Sequence, residues 1–74
     1  MMKLNECPVR TAIRITEVPV PKSHQLRMQE IGVRVGAHAS IVQRAGFGGL
    51  ILNIAGSRVA IDHRFAKLIE AELS

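Results

Sequence analysis

The 74-residue sequence has no tryptophan, no tyrosine and only two phenylalanines, Phe47 and Phe65. An aromatic-lined groove of the kind that grips proline-rich peptides therefore has no material to be built from. Any hydrophobic core must be aliphatic. The single cysteine, Cys7, excludes an intramolecular disulfide and a multi-cysteine metal site. It also fits a reducing compartment. No stretch approaches the roughly 18 apolar residues that a membrane-spanning helix needs. The opening MMKLNECPV lacks the apolar segment of a secretory leader, so a cytoplasmic protein is expected. Clustered charge is missing as well. Ten Lys and Arg against six Asp and Glu give a net charge of +4, but the basic residues are spread almost evenly from Lys3 to Lys67. That is the pattern of a solvated surface, whereas nucleic-acid readers concentrate their basic residues.

What is present is a domain's worth of aliphatic residues. Hydrophobic types make up 47% of the chain, which sets it apart from disordered sequences and predicts one domain over residues 1–74. The centre is Gly48 to Ile61, GGLILNIAGSRVAI. Leu50, Leu52 and Ile54 alternate with Ile51, Asn53 and Ala55, and Val59 and Ile61 resume the period of two after Gly56-Ser57. The pattern predicts a β-hairpin turning at Gly56-Ser57, with Gly56 supplying the positive φ of a primed turn. Both faces of its first strand are apolar, so a cover is expected on each side.

Ile13 and Ile15 alternate with Arg14 and Thr16 in a strand over Thr11 to Val18, ended by Pro19 and Pro21. Ser23 can cap a helix over about residues 23–31, with Leu26 and Ile31 expected to face the core and Met28 unassigned. Gly32 ends it as a left-handed C-cap; Gly36 marks a second turn, pinned by Val33 and Val35. A strand over Ala37 to Ala45 leads through the glycine loop Gly46, Gly48 and Gly49 into the hairpin. A helical turn at about residues 63–67 precedes a last strand carrying Ile69, Ala71 and Leu73. The expected fold is mainly β: a small five-stranded antiparallel barrel with one inserted helix, closed because so apolar a hairpin would otherwise expose its edges.

Chemistry is sparse. Cys7, Ser23, Ser40, Ser57 and Ser74 include no residue in a strand-to-helix elbow, and residues 46–49 are followed by neither Gly-Lys-Ser/Thr nor a helix. The chain is not expected to be an enzyme. Cys7, His24, His38, Asp62 and His63 could ligate a metal, but no pair has an i, i+3 or i, i+4 spacing. No resident metal or cofactor is expected; weak transition-metal binding stays open.

Three blocks carry a family likeness. Arg27-Met28-Gln29-Glu30-Ile31-Gly32-Val33-Arg34-Val35-Gly36 ends the helix, Gly46-Phe47-Gly48-Gly49 precedes the hairpin, and Ala60 to Ile69 closes the chain. In order and spacing they resemble the ferrous iron transport protein A (FeoA) family, with Asp62 where members usually carry arginine. The resemblance implies an SH3-like barrel and a small cytosolic accessory of the ferrous iron permease, FeoB. The partner would be the permease's cytosolic region, with a homo-oligomer also open. The contact surface is expected at Met28 and Phe47, should both be exposed, edged by Arg27, Arg34 and Arg44. The alternative is a basic RNA-binding barrel, for which Phe47 is the one aromatic placed in a loop.

Overall fold

The alternating segments are extended, and in the computed structural model, which describes residues 2–74, they form one antiparallel sheet. Strand β1 (Met2–Lys3) leads through a short helical turn (Leu4–Glu6) to β2 (Ala12–Glu17) and helix α1 (Lys22–Glu30). Strand β3 (His38–Arg44), a tight turn at Gly46–Gly48, β4 (Leu50–Ile54), β5 (Ser57–Ile61), the single helical turn α2 (His63–Ala66) and β6 (Glu70–Leu73) follow. Across the sheet the order is β1-β6-β2-β3-β4-β5. The mainly-β character, the inserted helix and the later helical turn are as expected. Two details differ. Among the described residues there are six strands rather than five: β1, whose two residues are too few to show a period of two, pairs Met2 with Ala71 and Lys3 with Glu70. The sheet is also not closed, since its edges, β1 and β5, do not pair with each other.

The inward residues make one aliphatic core. Ile13, Ile15, Ile41, Leu52, Ile69 and Ala71 are wholly buried, joined by Leu4, Cys7, Val33 and Ala66 from the connections. Only one face of β4 is covered: Leu50, Leu52 and Ile54 are buried while Asn53 is exposed and Ile51 half-buried. The second cover expected from the sequence is absent because the outward face of β4 carries too little apolar surface to require one.

Helix α1 departs from expectation at its start and on its faces. Pro21 occupies the N-cap position with no side-chain bond, and Ser23 lies within the first turn. The Pro21 carbonyl accepts from the His24 amide at 2.8 Å, and proline's fixed φ sets the entry into the helix. Met28 is buried, Ile31 half-buried and Leu26 exposed. Helix geometry explains this: a five-residue step from Leu26 to Ile31 turns about 140° off one face, whereas Met28 and Ile31 are an i, i+3 pair. Gly32 ends α1 as foreseen, at φ +94. The Val33 amide donates to the Met28 carbonyl at 2.8 Å and the Gly32 amide to Gln29 at 3.0 Å, a Schellman motif sealed by buried Met28 and Val33. Val35 is exposed, so Val33 alone pins the turn toward Gly36, and Leu73, at the end of β6, is exposed too.

The hairpin turn lies one residue earlier than expected. Ile54 pairs with Ser57, so the turn residues are Ala55 (φ +51) and Gly56 (φ +82). Two successive positive φ values match a type I′ turn, which suits the twist of the strands. This register sets Leu50 opposite Ile61 and Leu52 opposite Val59. Ala55 takes a conformation that L-residues with a Cβ adopt at a cost.

Candidate partner-binding surface

The loop between β3 and β4 is closed by the Ala45 amide donating to the Gly49 carbonyl at 2.8 Å. Gly48 has φ +83, and a Cβ added there would meet Nδ1 of His63 at 2.9 Å. Glycine is what lets the loop lie on α2. Between Gly46 and Gly48, Phe47 adopts φ 61 and ψ 24 and is completely exposed, at 102% of reference. Gly46, Phe47, Gly49, Asp62, His63 and Arg64 line one shallow depression. Asp62 caps α2: its Oδ1 accepts from the Arg64 amide at 2.7 Å and from Arg64 Nε at 3.3 Å. The backbone bond above all, then the guanidinium, holds Asp62 below the usual carboxylate range. Phe65 ties α2 to α1, its ring 4.8 Å from that of His24 and 5.4 Å from the Arg64 guanidinium carbon.

The residues expected to form a contact edge do not come together. Met28 is core. Arg27 and Met28 on α1 border a second depression, with Ile31 at the helix C-cap, Arg58, Val59 and Ala60 on β5, and Asp62 and Phe65 beyond. Asp62 borders both depressions, so that of Phe47 and that of Arg27 adjoin. Arg34 lies instead with Val35 on the turn after α1. Arg44 is a structural clamp: Nη1 donates to the Asn5 carbonyl and Nη2 to the Cys7 carbonyl, each at 2.7 Å. Its contacts lie 39 and 37 residues away, beyond anything spacing could show. The side chains beside Phe47 are instead His63 and Arg64, and the one facing Arg27 from β5 is Arg58. The signal available for Arg58 was its alternation with Val59, which turns it to the opposite face.

The possible metal ligands are dispersed. Cys7 is buried with Sγ 3.5 Å from the Lys3 carbonyl, and burial pushes its thiol up against the smaller opposing pull of Arg44. His24 packs on Phe65, and His38 starts β3 beside a depression lined by Ile54 and Ala55. Among the described residues no three His, Cys, Asp or Glu side chains converge. The basic surface is partly neutralised, with Lys3, Arg14 and Arg64 paired to Glu70, Glu72 and Asp62. Phe65 is half-buried, leaving Phe47 as the one fully exposed aromatic side chain, so the RNA-binding alternative lacks a stacking platform. No helix among the described residues is long and apolar enough to cross a membrane.

A family model described as the FeoA domain matches residues 2–73. Comparison with curated proteins gives no match. Among solved structures, the FeoA protein of Chlorobium tepidum superposes with a TM-score of 0.88 at 22% identity, over 97% of this chain and 70% of that one. Iron(II) transport protein A of Clostridium thermocellum gives 0.87 at 27% identity, over 97% of this chain but only 45% of that one. Stenotrophomonas maltophilia FeoA complexed with zinc, described as a procaryotic SH3 domain protein and suggested to act as a ferrous iron transport activating factor, gives 0.73 at 22% identity, over 97% and 91%. The fold is therefore the SH3-like one of these structures.

Proposed function

The chain belongs to the FeoA-domain family, which implies an accessory role in ferrous iron transport, and from that premise we propose that it acts by protein–protein contact with the cytosolic part of a FeoB-type permease. In this reading it works in the cytoplasm, holds no resident cofactor and catalyses no reaction. The observation that carries the proposal is Phe47. Burying a phenylalanine gains about 1.5–3 kcal/mol, none of which this side chain realises in the folded chain. Its left-handed backbone adds a strain of about 1–3 kcal/mol. A completely exposed aromatic held on a strained, glycine-flanked turn is costly to the isolated domain and suited to anchoring a partner. His63 and Arg64 beside it supply a polar rim.

Replacing Phe47 by alanine tests this directly. The melting temperature should stay nearly unchanged, because no core contact is lost, while affinity for the permease's cytosolic part should fall by about 1–3 kcal/mol, as for an interface anchor. Unchanged affinity would remove Phe47 from the interface and the proposal with it.

A further inference from the structure

β5 is an edge strand whose outer side is free. The Gly49 carbonyl bonds toward β3, so the odd-numbered residues of β4 face β3 and its even-numbered residues bond to β5. Those partners are Ser57, Val59 and Ile61. The N–H and C=O groups of Arg58 and Ala60 therefore point away from the sheet, and no bond within the chain engages them among the described residues. They open onto the depression of about 400 Å³ that separates β5 from α1. Met28, Ile31, Val59 and Phe65 give it an apolar floor, with Arg27 on the helical wall and Arg58 on the strand. Among the described residues neither arginine has an ion-pair partner, and the sole carboxylate on the lining, Asp62, is occupied by Arg64.

We propose that this groove binds an extended acidic segment of a protein partner by strand addition to β5. Arg58 and Ala60 would exchange four main-chain hydrogen bonds with the added strand. Alternate side chains of that strand would enter the apolar floor, and its carboxylates would meet Arg27 and Arg58. The same charge discriminates against a second copy of this chain, since β5 pairing with β5 would bring two unneutralised Arg58 side chains together. The proposal rests on the protein-binding role above, and names the chemistry of what is bound.

The test uses the full chain and a short capped peptide alternating glutamate with valine. Two further peptides serve as probes, one with lysine in place of glutamate and one N-methylated at every amide, so that neither of its edges can donate. Amide exchange and chemical shifts are read residue by residue. The expected result is slowed exchange at Arg58 and Ala60 with the glutamate peptide, and roughly tenfold weaker binding of the lysine peptide from two partly screened charge contacts. N-methylation should abolish binding. Arg27→Glu combined with Arg58→Glu should reverse the preference between the two charged peptides. Ala60→Pro removes an amide that the β4 ladder does not use, so it should leave the fold intact and eliminate binding. Equal binding of both charged peptides, tolerance of N-methylation, protection confined to other residues, or no binding at millimolar peptide would each overturn the proposal, as would a dimer dispersed by Ala60→Pro. The permease takes no part in this measurement, so its failure is distinct from failure of the Phe47 experiment.

Discussion

The two edges of the sheet are treated in opposite ways. At one, β1 contributes two residues before the chain turns inward, the Leu4 amide donating to the Ile69 carbonyl at 2.8 Å and Leu4 wholly buried. The Lys3 ammonium meets Glu70 at 3.1 Å, and Arg44 reaches across to hold the Asn5 and Cys7 carbonyls. At the other, β5 runs for five residues and, among the described residues, has no covering strand and Arg58 no ion-pair partner. Short length and a covering turn are recognised ways to blunt an edge. Having them on one side only separates the end of the molecule that secures the fold from the end free to receive a ligand. Phe47 and the groove beside β5 both lie toward the open end, adjoining at Asp62.

The contrast can be broken most severely at Leu4. Leu4→Ala should cost about 2–5 kcal/mol, the range for a fully buried leucine. In a chain of this size that is a large part of the stability expected at roughly 0.05–0.15 kcal/mol per residue. Val59→Ala, at a half-buried position on the open edge, should cost about 1 kcal/mol. Denaturant unfolding of both variants measures the difference, and equal losses would show that the edges contribute alike. A smaller effect separates two arginines. Arg44→Ala removes two charge-assisted bonds and should cost about 1–2 kcal/mol, the full value being reduced by partial solvent exposure. Arg58→Ala should stay within about 0.5 kcal/mol, as for a surface residue without partners. The last change has the opposite sign. Ala55→Gly relieves the positive φ in the β4–β5 turn and should stabilise by about 1 kcal/mol. In a domain of this size that raises the melting temperature by roughly 4–8 °C. No rise would mean that the open-edge hairpin carries no strain at its tip.

Most of the fold was legible because it is built from local patterns. Ile13 and Ile15, Ala39 and Ile41, and Leu50, Leu52 and Ile54 carry their burial in a period of two, and Gly32 announces the end of α1. The misplacements have physical causes. Gly56 invites a turn at its own position, but whether it takes the first or second place depends on cross-strand register, which Ile54 and Ser57 decide. Ser23 is a good cap by type, yet Pro21 had already set the helix entry. The site was much less legible. Phe47 in a glycine loop could be flagged, but its exposure depends on Gly48 lying against His63 from a distant segment. Arg44 and Arg58 are the same residue type on neighbouring features of the sequence. One clamps the Asn5 and Cys7 carbonyls and the other has no ion-pair partner among the described residues, and only tertiary placement distinguishes them.

The position of β6 has a consequence for how the domain is made. Glu70–Leu73 sits between β1 and β2, although it is the last strand in chain order. During vectorial synthesis β2, β3, β4 and β5 can pair in succession as they emerge, since each lies beside the next in sequence. β1 cannot, because its sole neighbour has not yet been made. Until residues 70–73 clear the ribosome, β2 offers an unpaired edge and β1 has nowhere to dock. Completion of the fold thus waits on residues 70–73, which insert between β1 and β2. The β1–β6 pairing joins residues 2–3 to residues 70–71, the longest closure in the sheet and the one with the largest loop entropy.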